Sequence, residues 1–125
     1  MKYYCIGIKG TGMATLASML YDMGNTVSGY DDAKDYKFTE KGLKERGIFY
    51  DSTHPLDKDT IVTASKAFSN DHREIKRIKE LGLTFKPYNE VVGEITAKFD
   101  TISVCGTHGK TTTTSMISLI LRNAN

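Results

Sequence analysis

The sequence predicts an α/β fold, a Rossmann-like parallel sheet flanked by helices. Short β-rich runs alternate along the chain with amphipathic helical patterns. Three of the helical patterns end at a glycine that leads directly into a β-rich run, around Gly24, Gly47 and Gly82. The two prolines, Pro55 and Pro87, lie between predicted elements. Together these observations indicate repeated strand–helix–strand units.

The elements follow one another in a regular order. "KYYCIGI" is an apolar run that predicts the first strand, and the next segment places Met13, Leu16, Ala17 and Leu20 on one helical face. The three glycines fit the left-handed position just past a helix end, so each predicts that a helix stops there. Strands are expected near residues 2–7, 26–30, 48–50, 60–64, 84–86 and 101–105. Helices are expected near residues 12–23, 38–46, 71–81 and 89–95, the third with Ile75, Ile78 and Leu81 on its buried face.

Composition narrows the class of protein. The 125 residues are 39% apolar and 26% charged, as in globular proteins, and the net charge of +2 gives no reason to expect a nucleic-acid partner. No apolar run approaches the roughly 20 residues of a membrane helix, and the first residues do not form a signal peptide. Cys5 and Cys105 lie in strand-like runs without metal-ligand spacing. We therefore expect buried, reduced thiols in a cytoplasmic protein that does not contact membranes.

A first glycine-rich loop joins the first strand to the first helix. In "IGIKGTGMATLA", Gly7, Gly10 and Gly12 allow a tight turn and a close approach of backbone N–H groups to a diphosphate at the helix N-terminus. The order G-x-x-G-x-G differs from the dinucleotide-binding G-x-G-x-x-G. Asp31 follows the second strand, where dinucleotide folds place a carboxylate for ribose hydroxyls. A simple tight turn with a solvated aspartate is the alternative.

A second glycine-rich loop, "GTHGKT", spans residues 106–111. The full phosphate-loop pattern would require glycine where Val104 stands, so the motif is a shorter G-x-x-G-K-T. Its N–H groups can still cradle phosphates, with Lys110 reaching the outer phosphates and Thr111 offering a hydroxyl to Mg²⁺. The run of threonines that follows is a poor helix opener, which hints that the hydroxyls serve as ligands. A chance glycine turn and a solvated His108 are the alternatives.

The two loops together resemble the Mur ligases of peptidoglycan synthesis. "GIKGTGM" and, about a hundred residues later, "GTHGKTTTT" carry the resemblance, and "GYDD" and "TASKAFSNDHREI" lie where that family has its Gly-Ser-Asp and Ser-Ser-Ala segments. The resemblance covers the whole chain. It implies a three-domain enzyme that uses MgATP to join L-alanine to UDP-N-acetylmuramate.

The resemblance also implies a division of this chain. Residues 1–98 would form the UDP-sugar-binding domain, and residues 99–125 the beginning of the central ATPase domain. Such a piece would be inactive alone, because phosphoryl transfer needs groups that the tail lacks. The stripe of Ile117, Ile120 and Leu121 would then lack its normal neighbours and could promote self-association.

Residue roles follow from the resemblance. The UDP-sugar would contact Gly10, Thr11, Gly12 and Met13 with its diphosphate, Asp31 near the nucleoside, and Ser65, Lys66 and Ala67 on the far side of the cleft. ATP would contact Gly106, Thr107, His108, Gly109, Lys110, Thr111 and Thr112. Lys110 and His108 would act in catalysis, and Thr111 would help to hold Mg²⁺. Lys66 stands where the family has a serine, so this residue departs from the family pattern.

Three other functions fit the same residues. A sister ligase that recycles murein tripeptide onto the same UDP-sugar has a similar first domain. A nicotinamide-binding Rossmann module is favoured by Asp31 and opposed by the glycine order. A non-catalytic UDP-sugar sensor would share the first loop. Binding of UDP-N-acetylmuramate but not NAD would exclude the dinucleotide module.

Overall fold

The structure is a computed structural model that describes residues 1–51 and 54–124. Within the described residues, four strands form one sheet: β1 (Lys2–Ile6), β2 (Thr26–Tyr30), β3 (Thr60–Ala64) and β4 (Thr84–Phe85). The same part of the chain contains five helices: α1 (Thr11–Asp22), α2 (Glu40–Glu45), α3 (Arg73–Glu80), α4 (Tyr88–Thr96) and α5 (Lys110–Asn123). The predicted α/β class with a parallel sheet is confirmed.

The chain forms two compact units, Met1–Ile95 and Thr96–Asn125. The first contains the whole sheet with α1 to α3 and all of α4 except its last residue, Thr96, and the second contains α5. The division that the sequence predicts, residues 1–98 and 99–125, stays a prediction, and its last residue, Asn125, lies outside the described residues.

All strands of the sheet run parallel, in the order β2-β1-β3-β4. β1 lies between β2 and β3 and pairs with both over its full length. In this register Lys2 is opposite Thr26 and Thr60, and Ile6 is opposite Tyr30 and Ala64. The carboxyl ends of β1, β2 and β3 therefore lie at one edge. The loops that follow these strands meet there.

The sheet buries a core on each face, because successive strand residues point to opposite sides. On one face Tyr3 and Cys5 pack with apolar residues of α1, α2 and α4. On the other face Tyr4, Ile6 and Val62 pack with Ile75 and Ile78 of α3. Helices α1 and α3 thus cover opposite faces of the sheet. The connection after β1 lies on one face and the connection after β3 on the other, so the chain changes face between these two neighbouring strands. In open α/β sheets a ligand cleft lies at such a switch point.

A buried carboxylate links α3 to the central strand. Glu74 is 1% exposed, and its Oε1 accepts hydrogen bonds from the Tyr4 hydroxyl at 2.7 Å and from Arg77 at 2.7 Å. Burial, followed by the hydrogen bond to Glu74, raises the pKa of Tyr4 well above its usual range. The pair is satisfied and fixes α3 on its face.

Several sequence predictions need correction. Residues 48–50 form only an isolated bridge, in which Phe49 is level with Ser28, and residues 101–105 are not a strand because no described strand pairs with them. Leu81 ends α3 and is 46% exposed, so only Ile75 and Ile78 of that predicted face are buried. Cys5 is buried as expected, whereas Cys105 is exposed. The buried face predicted for the first helix is correct.

Candidate functional site

The first glycine loop makes the sharp turn from β1 into α1. The N–H groups of Gly7 and Ile8 both donate to Tyr30 O, and Gly10 N–H donates to Gly7 O, so these donors hold the turn itself. Gly7 has φ +82°. A Cβ there would lie 2.9 Å from both Ser65 Cβ and Phe68 Cε2. This glycine is required for the close approach of the β1 and β3 ends.

The N-terminus of α1 presents free backbone donors. Gly10 is the N-cap, and Ala14 N–H makes the first helical bond, to Gly10 O. The N–H groups of Thr11, Gly12 and Met13 precede that bond and have no acceptor within the helix. Met13 is 3% exposed, so only its backbone can reach a ligand. Three N–H groups at a helix N-terminus form a site for an anion.

A cleft of about 820 Å³ opens at this point, between the carboxyl ends of β1 and β3. Of the sequence-predicted residues it brings together Gly10, Thr11, Gly12 and Met13 with Ser65 and Lys66 from the other side. The remaining wall is largely apolar and comes from the segment between β3 and α3, from α3, from β4 and from the start of α4. The cleft is therefore polar and donor-rich at the glycine loop and apolar away from it.

Tyr88 is a cleft residue that the sequence reasoning did not identify. Its hydroxyl donates to Gly12 O at 3.5 Å, and a Cβ on Gly12 would lie 3.1 Å from the same hydroxyl. Tyr88 begins α4 directly after Pro87. An aromatic residue following a proline at a helix start was the available signal. The predicted helix began at residue 89, so Tyr88 fell just outside it and was not considered as a helix-start residue.

Asp31 has a structural function in addition to any ligand contact. Its Oδ2 accepts from Lys9 N–H at 2.8 Å, and its Oδ1 accepts from Ala33 N–H at 2.9 Å. Asp31 lines a second, smaller pocket of about 450 Å³ together with Lys9 and Tyr50, and it does not line the cleft. The predicted contact with a nucleoside stays a prediction. Asp31 is thus bonded to the glycine loop through Lys9 but does not line the cleft with the predicted residues Gly10, Thr11, Gly12, Met13, Ser65 and Lys66.

Ala67 also stands apart from the cleft wall. Its N–H donates to Ser65 Oγ at 3.3 Å, which holds the turn after β3. Phe68 N–H donates to Ser65 O in the same turn. Ala67 therefore supports the position of Ser65.

The second glycine loop lies in the second unit and precedes α5. Gly109 is the N-cap with φ 73°, and Thr113 N–H makes the first helical bond, to Gly109 O. The N–H groups of Lys110, Thr111 and Thr112 are thus open, and Lys110 Nζ donates to Gly106 O at 2.7 Å. Thr107 and His108 are exposed in the same loop. These groups fit a polyphosphate.

The described residues offer few side-chain ligands for a metal ion. Over residues 1–51 and 54–124, no group of three or more His, Cys, Asp and Glu side chains is placed to hold a metal ion. Thr111 can supply one hydroxyl, and a bound Mg²⁺ would take its other ligands from phosphate, from water or from outside these residues. In the same part of the chain, no helix is long and apolar enough to cross a membrane.

Comparison with known proteins points to one family. The model described as "Mur ligase family, catalytic domain" matches residues 2–100. The chain is 44% identical over 124 residues to a UDP-N-acetylmuramate–L-alanine ligase of Lactiplantibacillus plantarum, covering 95% of this chain and 28% of the relative. It is 46% identical over 118 residues to the enzyme of that name from Lacticaseibacillus casei, covering 93% and 27%.

Solved structures agree with the sequence relatives. A murein peptide ligase from Psychrobacter arcticus superimposes with a TM-score of 0.88 at 30% identity, over 99% of this chain and 27% of that one. A UDP-N-acetylmuramate–alanine ligase from Thermotoga maritima gives 0.85 at 26%, over 98% and 29%. The chain therefore spans little more than a quarter of the length of each protein that it matches.

Proposed function

Because the chain belongs to the Mur ligase family, we propose that it is part of an ATP-dependent enzyme joining L-alanine to UDP-N-acetylmuramate, and that its first unit binds the UDP-sugar. The curated relatives with 44% and 46% identity carry that activity in their names. The work of such an enzyme belongs to peptidoglycan synthesis, and we expect it in the cytoplasm, where ATP and nucleotide sugars occur.

The cleft at the switch point is the observation that carries this proposal. The open N–H groups of Thr11, Gly12 and Met13 can each donate to a diphosphate oxygen, and the α1 dipole favours the negative charge. Ser65 and Lys66 face the same space and can contact the far side of the ligand. The apolar wall beyond them suits the uncharged parts of a nucleotide sugar.

The second glycine loop supports the ATP-dependent part of the proposal. The N–H groups of residues 110–112 would hold phosphate oxygens, and the Lys110 ammonium would balance the charge of the outer phosphates. ATP, when bound, supplies the phosphoryl group that activates the muramate carboxylate. Thr111 would contribute its hydroxyl to Mg²⁺, and His108 lies exposed in the loop that would face the reactants. These residue roles come from the family resemblance.

Binding to the 125-residue chain tests the first part of the proposal. Titration calorimetry with UDP-N-acetylmuramate, UDP and NAD should give heat with the first two ligands and none with NAD. Gly12→Val should abolish binding, since a side chain there would meet the Tyr88 hydroxyl and cover the N-terminus of α1. Gly93→Val is the matched control, because Gly93 is also helical but a Cβ there has open space.

Two results would contradict the proposal. If Gly12→Val binds UDP as tightly as the parent, the loop is only a turn. If NAD binds and UDP does not, the first unit is a dinucleotide-binding module.

A murein-peptide ligase is the second candidate, because a protein of that name is one of the structural neighbours, with a TM-score of 0.88. The two curated L-alanine ligases, at 44% and 46% identity, favour L-alanine, whereas among the two solved structures the murein peptide ligase has the higher identity, 30% against 26%. In a protein of the relatives' full length, ADP release with L-alanine but not with a tripeptide would support the proposal, and the reverse would support the alternative.

A further inference from the structure

Lys9 is the only charged side chain within the first glycine loop, yet it does not line the cleft. Its Nζ donates to Ala33 O at 2.6 Å and lies 3.5 Å from Glu40 Oε1. The side chains of Lys9 and Glu40 are 10% and 6% exposed. The ammonium also lies 5.6 Å from the centre of the Tyr50 ring. The charge is thus directed into the segment that follows β2.

The backbone of Lys9 is tied to the same segment. Its N–H donates to Asp31 Oδ2 at 2.8 Å, and its carbonyl accepts from Thr39 Oγ1 at 2.7 Å. The amide, the carbonyl and the ammonium of one residue are therefore all held by residues 31–40. Lys9 stands between Gly7 and Gly10, which make the turn into α1. The contacts of Lys9 therefore act within that turn.

Glu40 is itself fixed in place. Its Oε2 accepts from Lys37 N–H at 2.6 Å, and its Oε1 accepts from the Tyr50 hydroxyl at 2.8 Å. These two hydrogen bonds and then the charge of Lys9 lower the pKa of the Glu40 carboxyl, so the carboxylate is charged at neutral pH. Removal of one partner of a buried ion pair leaves the other uncompensated. The pair is therefore sensitive to change on either side.

We propose that Lys9 is a positioning residue for the diphosphate site: it locks the glycine loop against residues 31–40 and so orients the α1 N–H donors, without touching the ligand. This inference rests on the proposed function, because it assumes that the α1 N-terminus binds the diphosphate of a nucleotide sugar. In this proposal Lys9 holds the loop from outside the cleft and makes no direct contact with a phosphate. It also gives Asp31 a reason to stand at the end of β2 without lining the cleft.

The test compares Lys9→Gln with Lys66→Gln, whose lysine lines the cleft. UDP is titrated into each variant at 10 °C and at several NaCl concentrations. Lys9→Gln should weaken UDP binding about tenfold, which is about 1.4 kcal/mol of binding free energy, and keep the parental salt dependence because it removes no contact with the phosphates. Lys66→Gln should reduce the salt dependence, because it removes a charge from the cleft. The double variant Lys9→Gln/Glu40→Gln should lose no more affinity than Lys9→Gln, since both act through one pair.

Amide hydrogen exchange gives a second measurement that needs no ligand. The Gly10 amide, bonded to Gly7 O, should exchange faster in Lys9→Gln than in the parent. Parental affinity and parental Gly10 exchange in Lys9→Gln would overturn the inference, even if its melting temperature falls. A reduced salt dependence in Lys9→Gln would overturn it too, by showing a direct phosphate contact. A parent that does not bind UDP contradicts the proposed function itself, whereas a variant with parental affinity contradicts only the role of Lys9.

Discussion

Replacement of Gly7 by alanine should destabilise the first unit more than the same replacement at Gly24. Both glycines have positive φ, +82° and +89°, so a side chain at either position adopts a left-handed conformation. Only Gly7 is crowded: a Cβ would lie 2.9 Å from Ser65 Cβ and from Phe68 Cε2, whereas Gly24 has nothing within 4 Å. The pair separates the cost of backbone conformation from the cost of packing.

The magnitudes follow from these two terms. A left-handed alanine costs about 1–2 kcal/mol, partly offset by about 0.4–1 kcal/mol from the stiffer unfolded chain, so Gly24→Ala should lose about 1 kcal/mol. Overpacking at Gly7 adds about 1–3 kcal/mol, which brings Gly7→Ala to about 2–4 kcal/mol. For a domain whose free energy of unfolding is about 5–15 kcal/mol, both variants should still fold.

Urea unfolding followed by circular dichroism at 222 nm measures both free energies, with equal m-values as the check on two-state behaviour. If Gly7→Ala and Gly24→Ala lose the same stability, the contact between the β1 and β3 ends is not tight, and the account of the switch point is wrong.

Two further predictions concern ionisable groups. Burial raises the pKa of the Cys5 thiol to about 12, whereas Cys105 is exposed. A thiol-reactive disulfide reagent at pH 8 should therefore label Cys105 in the native protein and Cys5 only in urea. Rapid labelling of both thiols in the native protein would contradict the burial of Cys5. The hydrogen bonds of Glu40 with Lys37 N–H and the Tyr50 hydroxyl lower its pKa below the ordinary 4.5. The stabilisation from these hydrogen bonds is fully present above the unfolded-state pKa of 4.5 and is lost as the pH falls through the lower pKa of the folded state. In urea unfolding from pH 7 to 3, the free energy of unfolding should therefore fall more steeply for the parent than for Glu40→Gln. Parallel curves for the two proteins would contradict this prediction.

The sequence predicted the sheet and the first helix well because their patterns are local. Met13, Leu16 and Leu20 repeat at helical spacing, and β1 is a short apolar run bounded by a glycine turn. Residues 48–50 look similar but form only one bridge, with Phe49 66% exposed. Whether an apolar run becomes a strand depends on its neighbours, which a local pattern does not contain.

The candidate site was predictable as far as backbone donors are concerned. Glycines between a strand and a helix predict open N–H groups, and Gly10 and Gly12 lie where expected. Side-chain directions were not predictable. Lys9 could have faced the cleft or the segment after β2, and only the positions of Asp31 and Glu40, far away in sequence, decide it.

The central place of β1 has a consequence for folding. β1 is hydrogen-bonded on both edges, but the residues of β3 that complete it are made roughly sixty residues later, about 3–12 s at ordinary rates of synthesis. Until then one edge of β1 is unpaired, and Tyr4 and Ile6, which α3 later covers, are exposed. The same strand whose end forms the cleft is thus the one most open to mispairing on the ribosome. During synthesis, protease resistance should therefore first appear in nascent chains that include α3, and it should be absent from chains that include β2 but end before α3.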